Sequence, residues 1–230
     1  IINIAVATPF TTPMMFSVRL GIATMAICPV MVSVSMAAIN SLIRQVSLRA
    51  DYDFLTHVYS RSGLYEALKQ EETYRHCRFL TVMLLDIDYF KSINDNYGHE
   101  CGDRVLASFA RQVQEVVGED GMVARMGGEE FAVVVNSGDA QHGYELAERI
   151  RATVASHPFT WRQQTLSLTV SIGLGSGKAE PWQLTEIFNK LMAEADDQLY
   201  RSKKAGRNRT SARVSDEPIG APSGSETSLR

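Results

Sequence analysis

The sequence predicts an α/β sandwich in which a mainly antiparallel, mixed five-stranded sheet is flanked by helices, with a transmembrane helix in front. Three observations predict it. Between residues 53 and 210, short apolar, partly β-branched runs alternate with longer segments of helical periodicity. A Gly127-Gly128 pair separates two strand-like runs, a hairpin signal. Ahead of these, Leu20 to Ile39 contains no Asp, Glu, Lys or Arg. A chain of 230 residues, 45% hydrophobic and 21% charged, has enough apolar content for one sizeable core plus an appendage. The net charge of -3 lacks the basic excess of a nucleic-acid binder, so no nucleic-acid partner is expected. The 3 cysteines, Cys28, Cys77 and Cys101, are widely spaced and form no CxxC pair, which suggests neither a zinc site nor a disulfide framework.

In chain order, residues 1–43 form the expected membrane segment. Before Arg44 the only charged side chain is Arg19, and the run from Leu20 matches the roughly 20 residues that cross a bilayer core. Residues 1 to 18 are also apolar and the first residue is Ile1, so this segment is expected to be the C-terminal end of a longer membrane or sensor region. Arg44 and Arg49 follow the span, which favours the cytoplasm for what comes after. The expected location is therefore the inner membrane, with the soluble domain in the cytoplasm. Residues 44–52 read as a signalling linker helix.

The domain proper is expected over 53–210. Thr56 or Ser60 caps a helix running through Leu64, Leu68 and Tyr74. Phe79 to Leu85 is a continuously apolar strand that stops at Asp86, as buried central strands do. A short helix follows, then a longer one with Val105, Leu106, Phe109, Ala110, Val113, Val116 and Val117 on one face. Met122–Met126 and Phe131–Val135 are the hairpin strands, and a third helix covers about 141 to 156. Leu166 to Leu174 alternates as a further strand, with a short partner near Phe159 to Arg162. The last helix carries Leu184, Ile187, Phe188, Leu191, Ala195 and Leu199, and Gly206 ends it. Residues 211–230, rich in Ser, Gly and Pro, are expected to be a disordered tail.

Two acidic clusters fall at strand ends: Asp86 with Asp88, and Glu129 with Glu130. Taken singly, such residues are ordinarily solvated or paired with Lys and Arg. If the two strands are neighbours, however, two carboxylates about 4 Å apart repel by roughly 4 kcal/mol at an effective dielectric of 20. A divalent cation relieves that repulsion. An all-oxygen donor set favours a hard ion such as Mg2+, whose remaining ligands come from water and substrate phosphates.

The strings DIDYFKSINDNYGHECGD, RMGGEEF and ADDQLYRSKKAGRN occur in this order, and together they closely resemble the GGDEF family of diguanylate cyclases. The resemblance covers about Asp53 to Arg209 and implies a nucleotidyl-cyclase-like fold. It implies a cyclase that condenses two GTP into cyclic di-GMP plus two pyrophosphate, with magnesium, at the interface of a homodimer; the apolar run in front makes it an expected membrane-anchored one. It also implies that Asp86, Glu129 and the main-chain carbonyl of Ile87 hold the metal, and that Asn94 and Asp103 read guanine. Phe90 and Lys91 open a helix whose N–H groups meet phosphate. Gly127 and Gly128 let the nucleotide approach the main chain, having no Cβ atoms. Lys203 and Arg207 are the implied phosphate ligands; a solvated basic helix end is the plainer reading of those two. Glu130 is the candidate for a supporting or proton-accepting role, although Glu129 or a metal-bound water could take that proton instead. The alternatives are a catalytically silent GTP-binding membrane module and a cyclase with another cyclic product.

Two departures from the family pattern matter. Its Arg-x-x-Asp product-inhibition motif is missing, since Gly118 and Gly121 stand at the matching places, and Arg149 is left as a helix-surface charge. The opening string is DFLTHVYSR, with His57, Val58 and Ser60 in place of Gly, Leu and Asn. That substitution bears on coupling to the membrane segment rather than on chemistry.

Overall fold

The computed structural model describes residues 31–40, 51–70, 79–179 and 183–214. The chain divides into two units, Ile1–Leu48 and Arg49–Arg230. In the first, residues 31–40 form a helix whose apolar side chains, Met31, Val32, Val34, Met36 and Ile39, are exposed. Among the described residues no helix is long and apolar enough to cross a membrane. Most of the expected membrane segment, including residues 20–30, and most of the expected linker helix lie outside the described residues.

The second unit is a three-layer sandwich around a six-stranded mixed sheet. Its strands are β1 (Tyr59–Ser60), β2 (Phe79–Ile87), β3 (Gly121–Gly127), β4 (Glu130–Asn136), β7 (Val170–Lys178) and β8 (Thr210–Val214). Strands β5 (Phe159–Trp161) and β6 (Gln164–Leu166) form a separate hairpin. The sheet order is β1-β3-β4-β2-β7-β8, parallel at the two outer pairs and antiparallel between. Helices α1 (Arg61–Gln70) and α5 (Leu184–Lys204) cover one face. Helices α3 (His99–Val117) and α4 (Ala140–Ser156) cover the other, and α2 (Phe90–Tyr97) links β2 to α3.

Alternation along β2 explains its unbroken apolar run. Leu80 and Val82 join Leu64, Leu68, Ile187 and Phe188 in one core, while Met83, Leu85 and Ile87 join Val105, Phe109 and Ile150 in the other. A central strand with helices on both sides has no solvent face to make polar. The helices follow the expected periodicity. The first begins after Ser60, whose hydroxyl accepts the Gly63 N–H at 3.0 Å, a cap in the expected place. It runs to Gln70, and Tyr74 lies outside the described residues.

Three expectations are corrected. The sheet has six strands, not five, because Thr210–Val214 pairs with β7 in parallel, Ile172 opposite Thr210 through Ser176 opposite Val214. Residues 211–214 are therefore strand rather than disordered tail; the rest of that tail lies outside the described residues. Main-chain pairing at a sheet edge needs few apolar side chains, so composition underestimates such a strand. The expected strand at Leu166 begins instead at Val170 and continues to Lys178 through Gly173, Gly175 and Gly177. These glycines weaken the strand signal but serve tertiary contact: a Cβ at Gly173 would strike the main chain of Ala195 and Leu199, and one at Gly175 that of Leu191. The glycines let α5 lie directly on β7.

Asp53 fastens the opening segment. Its carboxylate accepts the Thr56 N–H at 2.9 Å and the Thr56 hydroxyl at 2.7 Å. Arg125 on β3 donates to both its oxygens at 3.2 and 3.3 Å. Thr56 is thus bound by Asp53 and Ser60 caps the helix. Burial pushes the Asp53 carboxyl upward, but the Thr56 hydrogen bonds and Arg125 outweigh it and hold the group below its ordinary value.

Two outcomes follow from these contacts. Gly173→Ala should destabilise the domain by about 1–3 kcal/mol through overpacking, read by chemical denaturation. Because the folded Asp53 carboxyl lies below its ordinary value, its contribution is present above about pH 4 and lost as pH falls through the folded value. Melting curves should therefore show Asp53→Asn less stable than the parent at neutral pH, with the gap narrowing as the pH falls below the ordinary carboxylate range.

Candidate active site

The site is built on the ends of β2 and β4. Their antiparallel register places Asp86 opposite Glu130, after six successive pairs beginning with Leu80 opposite Asn136. The two strand ends expected to bring acids together are neighbours. Strand β3 turns into β4 through Gly128 and Glu129, with Gly127 opposite Glu130 and a register shift between Arg125 and Gly127. Gly127 and Gly128 take φ of 146° and 53°, and both are exposed with open space around their Cβ positions. A side chain at either would be strained by the backbone conformation alone. The Glu129 carbonyl accepts the Ile87 N–H at 3.5 Å, a long bond that ties the turn to the end of β2.

Asp86 is 8% exposed, and Lys203 from the last turn of α5 donates to its Oδ2 at 2.7 Å. Burial raises the Asp86 carboxyl above its ordinary value; Lys203 pulls it back, and the Glu129 and Glu130 charges push it further up. A surrounding cation charge therefore favours the ionised Asp86. Lys203 is not a merely solvated helix end, since its ammonium reaches across to the strand that carries the acids.

Asp88, two residues on, behaves differently. It accepts the Thr169 hydroxyl at 2.7 Å, the Ser171 hydroxyl at 2.6 Å and the Asn208 N–H at 3.0 Å. With three donors already satisfied it is a structural acceptor, consistent with its 5% exposure.

Helix α2 starts directly after β2. Tyr89 precedes it with φ of 57°, and no side chain caps the first turn. The Phe90 ring is buried, 7% exposed, so its side chain belongs to the core and its main chain is what the helix terminus presents; Lys91 is exposed. Arg207 reaches the same place from the end of α5, its guanidinium 4.8 Å from the centre of the Tyr89 ring.

Asn94 on α2 and Asp103 on α3 come from helices joined only by Gly98, and a Cβ on Gly102 would collide with the Asn94 side-chain oxygen. Asn94 thus lies against the residue preceding Asp103. Asp103 is exposed and Asn94 half-buried, so both polar groups border the same helix junction.

Sequence reasoning gave no role to Arg125. Besides Asp53, it donates to the Gly128 carbonyl from Nε at 3.0 Å and from Nη2 at 2.9 Å, so one guanidinium joins the opening segment to the turn. Its position two residues before the Gly pair was the available signal. The places matching the inhibition motif lie at the foot of α3. Gly118, with φ of 65°, ends the helix, and a Cβ on Gly121 would strike Val135 and Val117.

Among the described residues no three His, Cys, Asp or Glu side chains converge as a metal cluster. The oxygen donors that do meet are Asp86 and the main chain and side chain of the turn. Such a donor set suits a hard cation that takes its other ligands from phosphate and water.

The family model "Diguanylate cyclase, GGDEF domain" matches residues 50–209. The chain is 68% identical over 211 residues to a probable diguanylate cyclase, DgcF, of Escherichia coli K12, covering 92% of this chain and 67% of that protein. It is equally similar to the DgcF of Escherichia coli O157:H7, of which it spans 44%. Among solved structures, it resembles the coiled coil and GGDEF domain of DgcB from Caulobacter crescentus in complex with c-di-GMP, with TM-score 0.66 at 28% identity, over 86% of this chain and 99% of that one. With its acids on adjacent strand ends around a Gly-Gly turn, the chain belongs to the diguanylate cyclase GGDEF-domain family.

Proposed function

We propose that this chain is a diguanylate cyclase: the ribose 3'-OH of one GTP attacks the α-phosphate of another, pyrophosphate leaves, and a second round closes cyclic di-GMP. The observation that carries the reading is the strand register that sets Asp86 opposite Glu130 beneath the Gly127–Gly128 turn. In it, Asp86, Glu129 and the Ile87 carbonyl would hold magnesium, which when bound would supply activation of the hydroxyl and positive charge opposite the α-phosphate and leaving group. Asn94 and Asp103 read guanine, the carboxylate accepting from N1–H and N2–H while the amide donates to an acceptor. The first turn of α2, from Phe90 and Lys91, offers main-chain N–H groups to phosphate oxygens. Lys203 and Arg207 add positive charge on the same side. Glu130 is the candidate for a supporting or proton-accepting role, with Glu129 or a metal-bound water as the alternative acceptor, and the glycines keep the turn clear of side chains.

Each subunit carries one such half-site, so the reading requires a homodimer that brings two GTP molecules face to face. The apolar N-terminal run supports anchoring in the inner membrane, with residues 44–52 as a signalling helix and the cyclase domain, 53–210, in the cytoplasm.

Incubating the chain with GTP and magnesium and following products by mass tests the proposal. Cyclic di-GMP and pyrophosphate are expected; GTP binding by a folded dimer with no product would instead make the chain a silent GTP-binding module. Glu129→Gln should lower turnover at least about 100-fold while leaving the fold intact, since a metal-binding carboxylate becomes a neutral amide. With glycine at 118 and 121, cyclic di-GMP should not inhibit strongly, and a product inhibition constant in the nanomolar to low micromolar range would contradict that expectation.

A further inference from the structure

The turn after α5 holds two consecutive non-glycine residues in the left-handed region, Arg207 at φ 63° and Asn208 at φ 43°. Each such residue costs free energy, and two in a row persist only where surroundings hold them. The surroundings here can be named. The Arg207 N–H donates to the Ser202 carbonyl at 3.0 Å, and the Asn208 N–H to Asp88 at 3.0 Å. The Arg209 carbonyl accepts the Ile172 N–H at 2.9 Å, which begins the β7–β8 pairing. Within the turn Arg209 Nε donates to the Arg207 carbonyl at 3.3 Å, and a further hold comes from a different layer. Arg151 on α4 donates from Nη1 to the Asn208 side-chain oxygen at 3.1 Å.

Arg151 is itself fixed. Its Nε meets both Glu148 oxygens at 3.1 Å and its Nη2 meets Oε2 at 2.9 Å, a fork grip from one helical turn away. The side chains are only 24% and 33% exposed, so the pair is ordered beyond an ordinary surface salt bridge. The guanidinium also holds the Glu148 carboxyl below the usual range. The fork leaves Nη1 free to reach Asn208.

We propose that Arg151 is a positioning residue for substrate phosphate: anchored by Glu148, it holds Asn208 and thereby the left-handed turn that sets the Arg207 guanidinium over Tyr89 at the start of α2. Arg151 touches none of the residues of the catalytic site. It acts through the Asn208 side chain on the direction of its neighbour. The proposal rests on the reading of Arg207 as a ligand of the GTP triphosphate.

A double-mutant cycle tests it, using the 230-residue chain in detergent, with GTP affinity measured by calorimetry alongside KM and kcat. Arg207→Ala should weaken GTP binding about tenfold or more, as loss of a charged hydrogen bond does. Arg151→Ala should weaken it about threefold, with kcat changed less than about twofold, since only one side-chain hydrogen bond to the turn is removed. In the Arg207→Ala or the Asn208→Ala background, Arg151→Ala should add nothing to either KM or affinity. A residue that merely stabilises α4 would lower the melting temperature and the active fraction equally in every background without moving affinity, and that result overturns the proposal. So does an Arg151→Ala effect of the same size with and without Arg207. If Arg207→Ala leaves GTP affinity unchanged, the phosphate reading of Arg207 fails and the inference fails with it. Asn208→Ala provides a second route to the same coupling should Arg151→Ala fold poorly, because it removes the acceptor and leaves the Glu148 pair intact.

Discussion

The antiparallel register of β2 on β4 is the constraint on which the functional end of this domain depends. Side chains alternate between faces with period two, so a slip of one residue would turn Asp86 to the opposite face and bury the wrong set of β2 side chains. The register is held by apolar demand on both sides of the strand: Leu80 and Val82 can enter only one core, Met83 and Leu85 only the other. The position of a charged, catalytic-type residue is thus fixed by the requirements of uncharged ones. Burial, with the Glu129 and Glu130 charges nearby, raises the proton affinity of Asp86, and the Lys203 ammonium offsets part of that cost.

Close approach of α5 to β7 is the second structural condition. The helix delivers Lys203 and Arg207 to the end of β2, and it lies near enough only because Gly173 and Gly175 put no side chain beneath it. The same logic recurs on a smaller scale at Gly102, where absence of a Cβ lets Asn94 lie beside the start of α3. Glycine in these places sacrifices strand or helix propensity for proximity of backbone to backbone or backbone to amide. Asp88 completes the arrangement by gathering donors from β7, from the residue before it and from the turn beyond α5, so strand and turn share a single acceptor.

The opening segment is tied to the same end of the sheet. Asp53 holds Arg125, and Arg125 holds the Gly128 carbonyl, so the segment that leads into the domain and the turn that carries Glu129 share one guanidinium. Tyr52 and Tyr59 add a stacked pair, rings 4.8 Å apart, at that place. The drift of the opening string at His57, Val58 and Ser60 leaves this connection intact, since Asp53 and Thr56 make the bonds. At the foot of α3, by contrast, Gly118 and Gly121 serve the turn into β3 and carry no ligand chemistry.

Most of what defines this protein was legible in its sequence, because the signals are local. Helical periodicity set α3 and α5, an unbroken apolar run set β2, and the Gly pair between two such runs set the hairpin. The strings around Asp86, Gly127 and Lys203 carried the family resemblance and with it the candidate site. The features missed are those in which distant segments settle the outcome. Thr210–Val214 becomes a strand because β7 offers it an edge, not because TSARV favours one. Gly173 and Gly175 carry no sequence signal for the helix that lies on them. Asp88 looked like a partner of Asp86 and is instead saturated by donors from β7's approach and from residue 208. Arg125, Arg151 and Asn208 drew no role, since their partners lie far away in sequence. Residue type and spacing by themselves determined which chemistry the chain can perform. Only the tertiary structure decided which polar groups are free for it, because hydrogen bonds between segments far apart in sequence leave no periodicity to read.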